Sequence, residues 1–395
     1  MGFKNPILSL GTDAGTGKAY HICSRKSLLS FAVITLLVLS MSSERFMFKL
    51  MVDRMESYRY FLCQLMTFLF IPPLFCIIGY KSTQDDFIEE EATEFPKLHF
   101  FAMGILDLLH AMLLFLAGGK TEPIQTLLFM QASIPLSALI SSLVYGTRYT
   151  RIQILGMLGI CGGILVSLLP NLEDLDSDRN DDRESAWNSL FYLLAAVPGS
   201  LSMIYKERAI RDQPMDMVYL NAWVSVYQFI GGLMIAPIIF DAEFLHLNQK
   251  MSGLECLING KAEVTTDGCE LGIVILVLYV LCNVCINLLL MQVIKMTSIA
   301  VMYGTTLVGF FLSFGVLAWY QMDPDEFGAM NFHDGVRDWI PDSIYVDVVA
   351  FVILFAGKVL YQWDEDPDVE ATTRSAEDKE AASLLNDDEY GLRYM

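Results

Sequence analysis

Residues 97–170 read KLHFFAMGILDLLHAMLLFLAGGKTEPIQTLLFMQASIPLSALISSLVYGTRYTRIQILGMLGICGGILVSLLP. Three long apolar runs follow one another with only a turn between each pair. A helix of about 20 such residues matches the roughly 30 Å hydrocarbon core of a bilayer, so the block predicts three membrane spans. Inside those runs sit Asp107, His110, Gln131, Ser133 and Ser137. Polar groups at that depth cost free energy unless they face protein or water, which makes this block the place to look for a path across the membrane.

Working outward, the same hydropathy reading gives ten spans, at 28–50, 58–80, 98–118, 123–146, 152–170, 188–207, 217–239, 271–293, 297–320 and 343–362. Hydrophobic residues make up 54% of the chain, which fits an all-α polytopic membrane protein. The apolar run from Leu28 to Leu39 follows Arg25 and Lys26 as a signal peptide would. No small-residue cleavage site follows it, so it is expected to be the first span.

An even number of spans puts both tails on one side. Lys and Arg are more frequent in the tails and even-numbered loops than opposite them, which predicts a cytosolic N-terminus. The expected organisation is a cytosolic tail 1–27, a first five-helix half 28–170, an acidic far-side loop 171–187, a second half 188–362 carrying a far-side loop 241–270, and a disordered acidic cytosolic tail 363–395. The far side collects the acidic segments 173–184, 241–270 and 323–347, either as ordinary solvated surface or because it faces a lumen of low pH. The formal net charge of -20 argues against nucleic acid as a partner, since phosphate binding needs clustered cations.

Asp107 and His110 lie three apart on one helical face and form a candidate proton-coupling pair; the plainer reading is a carboxylate locked in place for structure. Glu44 and Arg45 are a second charged site, in span one. Asn221, Ser225 and Gln228 make a polar stripe on span seven, and Tyr303, Thr305 and Thr306 add hydroxyls on span nine. With Gln131, Ser133 and Ser137, these could hydrogen-bond a neutral or cationic small molecule. The basic residues, Lys295 and Lys358 included, lie near span ends, which tilts away from phosphate-bearing substrates.

Laying the chain from Thr121 over that from Thr297 puts Ser133 over Gly309 and Ser137 over Ser313, a weak internal repeat. Gly159 and Gly163 mark a close-approach face on span five. Spans eight to ten offer no acid to match Asp107, Asp347 being counted with the acidic segment 323–347.

Several motifs carry no chemistry. Cys282 and Cys285 have metal-like spacing but lie within one apolar span without a second ligand pair, so no metal site is expected. GTDAGTGK at 11–18 lacks phosphate-loop spacing. No Ser-His-Asp set or paired catalytic carboxylates appear in a suitable context, so neither an enzyme nor a cofactor is expected.

The loop 241–270 has an intermittent apolar face that predicts a short surface helix. Cys256 and Cys269 within it could bridge in an oxidising lumen or remain two free thiols. Glu380, Leu384 and Leu385 fit the acidic dileucine pattern read by clathrin-adaptor proteins.

Four stretches resemble the chloroquine-resistance transporter family of the drug/metabolite transporter superfamily: FAMGILDLLHAMLLF, IQTLLFMQASIP, LNAWVSVYQF, and GLECL followed by GCELG. The resemblance implies ten transmembrane helices as two inverted five-helix repeats, a cavity among spans one to four and six to nine, and a far-side surface helix followed by a disulfide-bonded segment. It also implies an exporter of amino acids, short peptides, thiols or cationic drugs, working with protons in an acidic vacuole or lysosome, or in a plastid for the plant branch; the chain is expected to act as a monomer. Asp107 matches a family carboxylate in span three. Nucleotide-sugar or sugar-phosphate exchange within the superfamily is the rival reading, and a non-transporting receptor or scaffold is the rival from another class.

Overall fold

The computed structural model describes residues 25–55, 58–83, 95–119, 121–174, 180–212, 216–241, 252–260, 271–296, 299–322 and 342–363, all of it helix and connecting turn. In chain order the helices are α1 (Arg25–Arg54), α2 (Arg59–Ser82), α3 (Lys97–Gly118), α4 (Pro123–Met130), α5 (Ser133–Tyr145), α6 (Arg151–Asp174), α7 (Asn180–Leu194), α8 (Ala196–Asp212), α9 (Met217–Asp241), α10 (Ser252–Asn259), α11 (Gly272–Met296), α12 (Ile299–Met322) and α13 (Asp342–Trp363). Among the described residues, ten helical stretches are long and apolar enough to cross a membrane, and they match the ten expected spans. Span four is α4 with α5, and span six is α7 with α8.

Both breaks have a proline behind them. Pro135 has no N–H to give the Gln131 carbonyl, so the chain tightens: Gln131 N–H bonds Leu128 O at 3.1 Å, Ala132 N–H bonds Phe129 O at 3.0 Å and Ile134 N–H bonds Gln131 O at 3.1 Å. Pro198 likewise cannot donate to the Leu194 carbonyl, and the helix breaks at Ala195. Span four ends where Gly146 takes a left-handed φ of 67°, its N–H returning to Ser142 O at 3.1 Å.

Outward faces are apolar: Leu155, Leu158, Leu165 and Leu169 of α6 all point away from the protein, as a lipid-facing surface requires. The opposite face of α6 carries Gly156, Gly159 and Gly163 and packs on α13. A Cβ at Gly156 would lie 2.5 Å from Tyr361 N, and one at Gly357 would lie 2.6 Å from Ile160 N. The close-approach face read from Gly159 and Gly163 is therefore where two backbones meet, the contact that replaces hydrophobic driving force inside lipid.

Helix contacts follow a pattern. Span one packs on spans eight and nine, and span six on spans three and four; spans two and seven, four and nine, and five and ten pack on each other. Replacing every span by the one five places away exchanges these pairs among themselves.

α10 packs on α11, and its Cys256 is fully buried and disulfide-bonded. Cys269 lies outside the described residues, as do Glu380, Leu384 and Leu385. One expectation is corrected: Asp347 belongs to α13, not to a solvated acidic segment. It is 1% exposed, because the helix begins before it and packs its face on α6.

Candidate substrate cavity

A cavity of about 220 Å³ lies among α2, α3, α8, α9 and α11. The polar groups in its wall are Asp107 of α3, Lys206 of α8, Asn221, Ser225 and Gln228 of α9, Thr67 of α2, and Tyr279 and Asn283 of α11. Spacing explains the stripe: positions 221, 225 and 228 follow one face of a helix, and α9 packs that side against α2 and α3. Gly104 lets α3 and α9 approach, since a Cβ there would lie 2.8 Å from Gln228 N.

The charged centre is an ion pair. Lys206 Nζ lies 2.5 Å from Asp107 Oδ2, and each side chain is about one-fifth exposed, at 23% and 21%. An isolated charge of either sign would be costly at this depth; together they cancel while remaining open to the cavity. Ser225 and Thr67 donate to carbonyls on their own helices, Asn221 O at 2.8 Å and Cys63 O at 3.0 Å. Their hydroxyl oxygens keep acceptor capacity. Tyr279 shares a hydrogen bond with Glu44, which puts Glu44 directly behind the wall.

The expected Asp107–His110 pair is not formed. His110 Nδ1 meets Ala195 O at 2.6 Å, the carbonyl at the break in span six, and a Cβ at Gly199 would lie 2.7 Å from the same nitrogen. Two side chains three apart on α3 thus both address span six, one as a charge pair and one as a brace on its kink.

Other predicted residues lie elsewhere than the cavity wall. Arg45 donates to Ser313 Oγ at 3.2 Å, with its guanidinium 5.9 Å from the Phe310 ring centre. Gln131 is buried and accepts from Lys358 Nζ at 3.0 Å. Ser137 and Thr305 donate to carbonyls on their own helices, Ile134 O and Val301 O, and Ser133 donates to Met130 O, back across the break between α4 and α5. The Tyr303 carbonyl accepts from Thr306.

The reading that basic residues only fringe the spans is corrected. Lys358 is buried, 4.6 Å from the Phe310 ring centre, and Lys206 lines the cavity. Both are near helix ends by count, but their long side chains turn inward.

The end of the bundle where α1 finishes and α4 begins is held by a polar network. Lys49, 1% exposed, bonds Asp53 Oδ1 at 2.6 Å, Gly118 O at 2.9 Å and Thr121 O at 2.7 Å, so all three of its donors are used. Tyr320 donates to Asp53 Oδ2 at 3.0 Å, and Arg59 bonds Leu116 O. Asn171 joins Gln125 and Ser189 at 2.9 and 2.7 Å. The other end carries the Lys81–Asp216 pair at 2.9 Å and a short His99–Tyr205 contact.

Comparison with known proteins adds an independent line. The chloroquine-resistance transporter-like family profile matches residues 29–310. Crt homolog 1 of Dictyostelium discoideum is 30% identical over 312 residues, covering 70% of this chain and 64% of that protein. The chloroquine resistance transporter of Toxoplasma gondii is 32% identical over 203 residues, covering 51% of this chain and 22% of that protein. Protein CLT1, chloroplastic, of Arabidopsis thaliana is 24% identical over 329 residues, covering 81% and 70%. The chain thus spans less than two thirds of the length of the first two. With a family profile matched over most of its length and through both sides of the cavity, the chain belongs to the chloroquine-resistance transporter-like family.

Proposed function

We propose that the protein is a secondary active transporter that moves small organic solutes out of an acidic vacuole or lysosome into the cytosol, coupled to protons, by alternating access. The observation that carries this reading is the Asp107–Lys206 pair facing a polar cavity inside the membrane. A carboxylate and an ammonium side by side offer complementary partners to a zwitterion, whose ammonium and carboxylate can each replace one member of the pair. Amino acids, short peptides and thiols such as glutathione have that chemistry, and a cationic metabolite would use Asp107 alone. Asp107 is also the group that would exchange a proton as the cavity changes sides.

Family membership supports transport as the class of activity, and the absence of a catalytic set in the sequence fits a non-enzymatic role. The vacuolar or lysosomal site rests on the acidic dileucine pattern at Glu380, Leu384 and Leu385, with adaptor proteins as partners; a plastid is the alternative that CLT1 raises. The chain acts as a monomer in this reading.

Lys206 favours one rival, an exchanger of sugar phosphates or nucleotide sugars, because it supplies the cavity cation that such substrates need. Its pairing with Asp107 weighs against it, since a dianionic substrate would meet the carboxylate too.

The test is uptake into proteoliposomes of labelled arginine, glutathione, a weak-base drug and a nucleotide sugar, with and without an acid gradient. Gradient-driven arginine or glutathione flux that Asp107→Asn uncouples is expected. Flux indifferent to both the gradient and Asp107→Asn would refute the coupling, and nucleotide-sugar exchange alone would select the rival. No substrate-dependent flux, with a partner captured by the C-terminal tail, would select a scaffold.

A further inference from the structure

Two cations inside the bundle share one aromatic ring. The Arg45 guanidinium of α1 stands 5.9 Å from the Phe310 ring centre, and the Lys358 ammonium of α13 stands 4.6 Å from the same point. Phe310 and Lys358 are buried and Arg45 is partly buried. Both cations donate to neutral groups, Arg45 to Ser313 Oγ at 3.2 Å and Lys358 to Gln131 Oε1 at 3.0 Å. Each of these bonds uses one donor, of the five on a guanidinium and the three on an ammonium. Their partners are anchored in turn: Ser313 donates to Gly309 O at 2.6 Å, and Gln131 to Leu127 O at 3.4 Å. Both cations are therefore held in place beside the ring with donors to spare.

Opposite charge is short at this point. Among the described residues, neither Arg45 nor Lys358 takes part in an ion pair; the lysines that do are Lys49, Lys81 and Lys206. Glu44 precedes Arg45, but successive helical residues point about 100° apart, and Glu44 bonds Tyr279 of α11 while Arg45 addresses α12. Even with Glu44 counted, two positive charges meet one negative charge. Asp347 of α13 is three turns from Lys358 and accepts from Ser167. The end of α4 beside Gln131 adds only a fraction of a unit charge. Like charges on one ring repel in a medium of low dielectric, and a single anion between them relieves both at once through charge-assisted hydrogen bonds.

We propose that Arg45 and Lys358 form a binding site for one compact monovalent anion, either a halide such as chloride or a small carboxylate. Enclosure beside Phe310 sets the size limit. The site joins α1, α4, α12 and α13, whereas the cavity of Asp107 and Lys206 lies among α2, α3, α8, α9 and α11. It thus goes beyond the transport reading, and it stands whichever solute the cavity takes. A bound anion ties span one to span ten and stabilises the fold in proportion to its occupancy.

The experiment measures melting temperature of the purified full-length protein in lipid nanodiscs as sodium chloride or sodium acetate replaces sodium gluconate at constant ionic strength and pH. A saturable rise on the order of 2 °C is expected in wild type with at least one of the two anions. A response to chloride alone identifies a halide site, and a response to acetate alone a carboxylate site. Arg45→Gln and Lys358→Met are each expected to lose the rise. Lys358→Met, which removes a costly buried charge, keeps the test decisive if Arg45→Gln folds poorly. The double variant Asp107→Asn with Lys206→Gln, which has no ion pair in the cavity, is expected to keep the rise. No rise in wild type with either anion would overturn the proposal, as would an undiminished rise in Lys358→Met. A rise lost in the double variant but kept in Lys358→Met would put the anion in the substrate cavity instead. None of these readings depends on proton-coupled flux, so failure of the transport reading would leave them distinct.

Discussion

Lys358 Nζ donates to Gln131 Oε1 at 3.0 Å and stands 4.6 Å from the Phe310 ring centre, fastening a buried ammonium of span ten to the break in span four. The ring face supplies part of the stabilisation a carboxylate would otherwise give. A buried cation held by one amide and one ring is weakly compensated, so removing the charge relieves a desolvation cost while removing the amide exposes it. Lys358→Met is therefore expected to leave melting temperature unchanged or raise it. Gln131→Leu, which strands the ammonium, is expected to cost about 1–3 kcal/mol. Thermal unfolding followed by tryptophan fluorescence measures both, and a large loss in Lys358→Met with none in Gln131→Leu would contradict the account.

The cavity pair makes a thermodynamic cycle. Asp107→Asn and Lys206→Gln each leave one charge unpaired, whereas the double variant leaves none. Each single change is expected to cost on the order of 2 kcal/mol, less than the roughly 3–5 of a fully buried pair because both side chains reach water in the cavity. The double variant should recover most of that loss. Strict additivity of the two single losses would mean that the charges do not interact.

Much of this architecture could be read before any coordinates. Ten apolar runs of span length, the glycine face of span five and the stripe at Asn221, Ser225 and Gln228 all depend on periodicity, which a sequence displays directly. Partner choice does not. Asp107 and His110 are neighbours in sequence, but Lys206, 99 residues away, is what meets Asp107. Ser133, Ser137 and Thr305 looked like path-lining hydroxyls; short side chains of this kind can instead bond back to their own helix, and nothing in composition separates the two cases. Asp347 was misplaced because it follows an acidic stretch, and only the packing of α13 on α6 reveals its burial.

Cys256 gives a prediction about a segment outside the described helices. Since it is disulfide-bonded, and Cys269 is the other cysteine of that loop, the two are proposed to pair. Maleimide labelling of denatured, unreduced protein should miss both in the wild type. It should reach Cys269 in Cys256→Ser and Cys256 in Cys269→Ser. Labelling of Cys269 in the wild type would send the bond to another partner.

The junction of spans five and ten offers the sharpest steric test. A Cβ at Gly357 would meet Ile160 N at 2.6 Å and Gly156 O at 2.7 Å, both backbone atoms that cannot rotate aside. Gly357→Ala must then push the two helices apart, at an expected cost of about 1–3 kcal/mol, and Gly357→Val more. Gly315 has nothing within 4 Å of its would-be Cβ and serves as the control. Gly315→Ala in the same helical context should be neutral or slightly stabilising, because alanine favours helix by about 1 kcal/mol. Melting temperatures of the three variants should rank Gly315→Ala highest and Gly357→Val lowest. An unchanged melting temperature for Gly357→Val would show that α6 and α13 do not approach this closely.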